Sequence, residues 1–446
     1  MPDLSSLTEA LLSEARKAGA EAADALAVTG KSQSIDIRRG ALEQAERSEG
    51  VEVGLRVLLG GRQACASASD ISSATLARLA ERAVAMAREA PEDPTVGLAA
   101  PDQLARGWDL AVLDLNDPSP EPLPQFLEGA ARAVEAAALA HHGIVQVEAS
   151  AGWSSREMHL ATSAGFSGGY ARSSHSLSAV AFTGSGTNME RDWAGESRIH
   201  GRDMPAATEI GALAATRTLE RAGSVKPPTG AYPVLFDERV ASSLIGHLLS
   251  AINGASIARG ASWALDLLDK QVLPDVMSLI EDPHRPRISG SRPFDGEGLP
   301  TARRLIVQDG VLMGWTLDLG TARKLGMQST ASASRGTSSP PSPSTSNIDL
   351  TPGTASRADL VRDMGTGLLV TSMIGATINP TTGDYSRGAS GFWVENGELK
   401  YPVNECTIAG NLRDMLLRMT AANDAKSHHS TRVPSLLVEG LTLAGA

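Results

Sequence analysis

The chain has 446 residues, 42% hydrophobic and 20% charged, enough apolar side chain to fill the cores of two or three domains. Its 51 acidic residues outnumber 40 basic ones, leaving a net charge of −11 without a long basic block, which argues against gripping a nucleic-acid backbone. Two cysteines, Cys65 and Cys406, rule out a disulfide framework, and no run approaches the roughly 18 apolar residues of a membrane span. The charged opening MPDLSSLTEALLSEARKAGA does not read as a signal peptide, so the expectation is a soluble cytoplasmic protein.

Leu4 to Ala18 reads as an amphipathic helix with Leu7, Leu11, Leu12 and Ala15 on one side. From Asp24 the period becomes two, and Gly30, Gly40, Gly50 and Gly60-Gly61 punctuate an antiparallel meander of three or four strands. Ile71 to Ala90 is helical again, with Leu76, Leu79, Ala83, Val84 and Met86 inward. A Pro- and Asp-rich connection (Pro91 to Asp117) leads to a helix at Pro122–His141. Glycine-separated strands then run from Ile144 to Arg191, and a helix spans Met204–Ala222. SVKPPTG (Ser224–Gly230) is a natural linker, which divides the chain into residues 1–224 and 225–446.

The second part opens on a buried strand, Tyr232–Phe236, a turn carrying Asp237 and Glu238, and an apolar helix. Ala241, Leu244, Ile245, Leu248, Leu249 and Ile252 recur at three- and four-residue spacing, which puts them on one helical face. Strands are expected at Val272–Ile280 and Arg303–Leu317, with Asp309-Gly310 and Asn396-Gly397 as two-residue hairpin turns. Met327–Pro352 is a Ser/Pro-rich loop long enough to be functional or disordered. Helices at Ser356–Met364 and Asn411–Ala422 interrupt strands at Gly367–Met373, Asp384–Val394, Thr407–Ala409 and Ser435–Leu443. The fold class is α+β: an N-terminal α/β part with mostly antiparallel strands and flanking helices, then a β-rich C-terminal part.

His247 sits in the apolar helix, where a lone histidine is more often a core residue than a ligand. A catalytic metal there needs a second His one turn away with a Glu beside it, and those positions hold Ser242 and Ser243. The adjacent pairs His141-His142 and His428-His429 should point to different faces, and Cys406 reads as a small buried hydrophobe. Gly165-Phe166-Ser167-Gly168-Gly169 matches a nucleophile elbow in letters, but strand-like sequence follows where a helix is required. Neither Thr183–Thr187 nor the loop around Arg335-Gly336 carries a phosphate-loop lysine motif. Asp237, Asp295 and Glu297 read as turn and surface acids.

Three long blocks carry a family resemblance: Pro293–Asp318 (PFDGEGLPTARRLIVQDGVLMGWTLD), Ser334–Asn347 (SRGTSSPPSPSTSN) and Gly383–Leu412. They resemble the TldD/PmbA family, also called modulators of DNA gyrase, over essentially the whole chain. The resemblance implies a heteromeric zinc protease in which the TldD branch carries HExxxH on the equivalent helix and the PmbA/TldE branch lacks it. Alignment sets the second His on His247, the first His on Ser242 and the Glu on Ser243, so this chain resembles the branch without metal. It then implies no catalytic or metal residue here, zinc in a TldD-type catalytic partner, and a peptide or unfolded segment as substrate. A homodimer is possible, and neither nucleic acid nor membrane is expected. Arg335, Gly336, Ser338 and Asn347 are the candidates for a cavity wall or interface. Two other functions compete: an independent hydrolase using Ser167 or Ser243, and a scaffold acting on a topoisomerase or toxin–antitoxin pair.

Overall fold

The structure is a computed structural model describing residues 3–445, the side chain of Ala376 excepted; the expected outer limits at residues 1 and 446 lie outside the described residues. Helix α1 (Leu4–Lys17) starts at Asp3, whose carboxylate accepts from the Ser5 N–H, and buries Leu4, Leu11 and Ala15. Three strands follow: β1 (Ala22–Arg38), β2 (Ala41–Leu59) and β3 (Arg62–Ala68). Gly30 and Gly50, expected as turns, instead lie within β1 and β2, directly opposite one another. Gly40, Gly60 and Gly61 take positive φ and do make the turns, while Gly30 and Gly50 do not.

Helix α2 (Ser73–Glu89) buries Leu76, Leu79, Ala83 and Val84. Met86, expected inside, is 42% exposed at the margin of that stripe. Next come α3 (Leu110–Leu113), α4 (Pro124–Leu139), β4 (Ile144–Thr162), β5 (Ser167–Thr183), β6 (Glu190–Arg198) and α5 (Ala207–Glu220). The short strands expected here merge into two long ones because Gly152 sits inside the ladder, opposite Ser34 and Ser176. β6 was not expected at all: its ERDWAGESR sequence has no apolar alternation. The six strands form an antiparallel sheet in the order β3-β2-β1-β4-β5-β6. Ala23, Ala25 and Ala27 of β1 pack with α1 and α2, while Ile35 and Ile37 pack with α4 and α5. The alternate residues Leu26 and Val28 meet Phe166, Phe294, Leu299 and Leu319, joining this sheet to the second half of the chain.

That half begins with β7 (Gly230–Phe236), α6 (Glu238–Ala251) and α7 (Gly254–Ala258). Short strands β8 (Leu279–Glu281), β9 (Arg304–Gln308) and β10 (Val311–Leu312) precede α8 (Leu319–Leu325), β11 (Ala333–Ser334), β12 (Ser342–Pro343) and β13 (Ile348–Leu350). The expected strand at Val272–Ile280 is thus mostly loop, whereas Arg303–Leu317 contains β9 and β10 and runs on as loop after Leu312. Val272 and Leu273 N–H groups donate to the Gly310 carbonyl instead of a neighbouring strand. Then come α9 (Arg357–Met364), β14 (Gly367–Ile378), β15 (Asp384–Glu395), β16 (Glu398–Asn411), α10 (Leu412–Leu417), β17 (Met419–Ala421), β18 (Thr431–Arg432) and β19 (Leu436–Ala444). The expected helix Asn411–Ala422 stops at Leu417, and its last residues pair with β19 as β17. Both hairpin turns are as expected: Asp309 and Gly310 have φ of 47° and 81°, Asn396 and Gly397 of 53° and 74°.

The large sheet runs β16-β15-β14-β7-β19-β17, and residues 407–409 of β16 also pair with 442–444 of β19, closing the strands into a barrel. The class is α+β, with β7 in the middle of the barrel wall and α6 issuing directly from it.

Candidate functional site

Helix α6 is held at its start by Asp237, whose carboxylate accepts from the Arg239 N–H and pairs with the Arg239 and Arg357 guanidiniums. Burial pushes this carboxyl up, but the two guanidiniums and the N–H outweigh it and hold it below the ordinary Asp range. Arg239 also reaches Asp192 of β6 (3.4 Å), fastening the helix to the N-terminal sheet. Leu244, Ile245 and Leu248 are fully buried, and each contributes roughly 1.5–3 kcal/mol by leaving water.

The remaining faces of α6 carry the three positions of interest. Ser242 lines a cleft. The Ser243 hydroxyl donates to the Val240 carbonyl (2.7 Å). His247 packs its ring against Tyr385 (5.9 Å between centroids), and its buried Nε2 has no hydrogen-bond partner among the described residues. Burial, and then the nearby Arg387 guanidinium, lower its pKa, so the ring is neutral at pH 7. A zinc ion on this helix therefore does not fit: two hydroxyls occupy the other positions, and a cation already stands beside the imidazole.

The cleft holds about 530 Å³ and lies between β5, β6, the start of α6 and the segment Lys426–Thr431. Ser174, Ser176 and Ser178 project from β5, and Trp193 of β6 is 53% exposed beside them. Most charges in it are paired: Arg198 with Glu196 (2.6 Å), Lys426 with Glu238 (2.8 Å) and Arg287 with Asp114 (2.6 Å). The His428 Nε2 lies 2.9 Å from Glu196 Oε2, and the His428 and His429 rings stand 4.5 Å apart at 82°. The expectation that these adjacent histidines diverge is incorrect: residues 427–430 form a turn, not a strand, and both rings come to one carboxylate. Burial opposes the charge on Glu196, yet Arg198, His428 and Lys426 together keep its pKa low. His428 and His429 are lowered chiefly by burial.

The loop expected to form a cavity wall or interface packs largely against the rest of the chain. The Arg335 side chain is buried and pairs with Asp24 of β1, and Thr337 crosses β2 so closely at Gly54 that no Cβ fits there. Asn347 is fully buried, its Nδ2 donating to the Asp282 carbonyl (2.8 Å) and Ser291 Oγ (2.7 Å). Arg335 thus ties the loop to the N-terminal sheet, while Asn347 ties its end to the segment carrying Asp282 and Ser291. Gly336 donates its N–H to Ser339, and Ser338 is exposed. Asp237, Asp295 and Glu297 are not surface acids; all three are buried, and N–H groups or guanidiniums take up their oxygens. Ser167 opens β5 instead of a helix, 3.4 Å from His159, whose other nitrogen meets Thr8 where an acid would be needed. Cys406 is buried, and its thiol is pushed up to about 11 by burial.

Three domain descriptions match this chain: "PmbA/TldA metallopeptidase domain 1" at residues 23–87, its "central domain" at 113–222 and its "C-terminal domain" at 229–445. A relative named Metalloprotease PmbA from Escherichia coli O157:H7 is 37% identical over 414 residues, covering 92% of this chain and 90% of the relative. A Metalloprotease PmbA homolog from Haemophilus influenzae is 36% identical, covering 97% of this chain and 94% of the relative. A crystal structure from Bacteroides thetaiotaomicron, described by a proposed role as a modulator of DNA gyrase, superposes with a TM-score of 0.92 at 28% identity, covering 99% and 98% of the two chains. TldE from Thermococcus kodakarensis shares the fold, with a TM-score of 0.84 at 18% identity over 98% of this chain and all of that one.

Proposed function

Because the chain belongs to the PmbA/TldD metallopeptidase family, we propose that it is the companion subunit of a heteromeric peptidase whose catalytic zinc sits in a TldD-type partner. The observation that carries this reading is the state of α6, where Ser242 and Ser243 offer hydroxyls and His247 is turned to Tyr385 beside Arg387. Serine at those positions supplies neither an imidazole ligand nor a general base for metal-assisted hydrolysis. What the chain contributes instead is a rigid wall. The Arg239–Asp237 and Arg239–Asp192 pairs fix the start of α6 against β6, and the β5 hydroxyls line the cleft between them. A peptide or unfolded segment held there in extended form would meet hydroxyl and guanidinium donors suited to its carbonyls and carboxylates.

The test is hydrolysis of an unstructured peptide by this chain alone, by an HExxxH-bearing partner alone, and by the two together. The pair should cleave the peptide and lose that activity to a chelator, whereas this chain alone should give no turnover above the blank. Chelator-resistant cleavage by the isolated chain would overturn the reading, as would full activity of the partner without it.

A further inference from the structure

We propose that Glu196, His428 and His429 form a divalent-metal site of the zinc class in this chain, away from the family's metal positions on α6. Among the described residues these three form the group whose ligand atoms converge, all lying within 4.8 Å of one another. An ion bonded at about 2.0–2.2 Å to each would set them roughly 3.4 Å apart, which asks for closure of at most about 1.4 Å from the 4.8 Å limit and a slight opening of the 2.9 Å His428–Glu196 contact, on a turn and a strand.

The donor set suits the assignment. Two imidazole nitrogens and one carboxylate favour zinc-like ions, whereas calcium and magnesium call for oxygen ligands. The protonation states agree as well: burial keeps both imidazoles neutral near pH 7, and Arg198 and Lys426 keep Glu196 ionised.

The ordinary alternative is a hydrogen-bonded cluster without an ion, and the geometry leaves room for both. Arg198 and His428 contact Glu196 through the same oxygen, Oε2, which leaves Oε1 for a metal. Arg198 would then hold the carboxylate from behind, as outer partners of metal ligands commonly do. The ion would displace the proton shared between His428 Nε2 and Glu196, leaving His428 protonated at Nδ1. Lys426 is already paired with Glu238, so its charge is partly spent. Three protein ligands leave a fourth position, and because the site lines the same cleft as Ser242, a peptide carbonyl or carboxylate in the cleft can fill it.

This inference does not depend on the companion-subunit reading, and its test uses the lone full-length chain. After dialysis against chelator, cobalt(II) is titrated in while its visible d–d absorption is followed, and bound zinc is counted by elemental analysis after gel filtration. One ion per chain is expected, with tetrahedral-type cobalt absorption. His428→Ala, His429→Ala and Glu196→Gln should each weaken binding at least tenfold while their melting temperatures without metal stay close to the parent's, and His247→Leu should bind as the parent does. Absence of a stoichiometric ion would overturn the assignment. So would binding that survives the His428→Ala and His429→Ala changes, or that is lost in His247→Leu.

Discussion

Replacing Asp24 with alanine should cost the chain about 3–5 kcal/mol, the usual penalty for stripping a buried guanidinium of its carboxylate. Asp24 is 2% exposed and stands opposite Arg56 in the β1–β2 register. The Arg56 Nε donates to its Oδ2 at 2.7 Å, and Arg335, arriving from the long loop of the second half, takes Oδ1. Among the described residues Arg335 has no other partner: its Nε and Nη2 are buried and unbonded, and burial brings its pKa down to about 10. Removing the carboxylate therefore strands two guanidiniums and releases the loop from the sheet. The measurement is urea unfolding of parent and variant. A change below about 1 kcal/mol would mean that the loop relaxes and both arginines reach water.

Glu297→Gln should act in the opposite direction, and only at higher pH. Burial, and then the neighbouring Asp295 and Asp318 carboxylates, push Glu297 up to about 8 from an ordinary value near 4.5. A carboxyl whose folded pKa is raised supports folding fully below its unfolded pKa and loses that support as the pH climbs towards the folded one. The parent should thus lose stability between about pH 4.5 and 8 on account of this group, by an amount on the order of a few kcal/mol. Glutamine is neutral throughout and its side-chain oxygen can still accept from the Leu319 N–H, which Glu297 does at 2.9 Å. Melting curves of the two proteins should converge near pH 4.5 and separate by pH 8, with the glutamine variant higher. Parallel curves across that range would show that Glu297 is ionised in the folded protein.

The features legible in the sequence are those set by near neighbours. The spacing of Leu244, Ile245 and Leu248 gave α6, the apolar run before it gave β7, and Asp-Gly and Asn-Gly gave the two hairpins. The α+β class and the family resemblance followed from such local blocks. What stayed hidden depends on partners far along the chain. Gly30 and Gly50 look like turns until each is seen to be the other's ladder partner. Arg335 looks like a loop cation until Asp24, 311 residues earlier, is placed beside it. Glu196 and His428 are 232 residues apart, on a strand without apolar alternation and on a turn between the expected helix and the last strand, so no local signal could have joined them. Asp295 and Glu297 were misread because acids near glycines usually lie at the surface, and here the segment is folded under the aromatic cluster of Phe166 and Phe294.

The claim at the centre of this account is that α6 of this chain takes no part in holding a catalytic ion. The most direct measurement is peptide hydrolysis and zinc content of the assembled pair when this chain carries His247→Leu, a change that removes an unpartnered buried nitrogen and fills its place with apolar volume. The account predicts a folded pair with undiminished zinc and an unchanged kcat. Loss of one zinc ion together with collapse of turnover would contradict it.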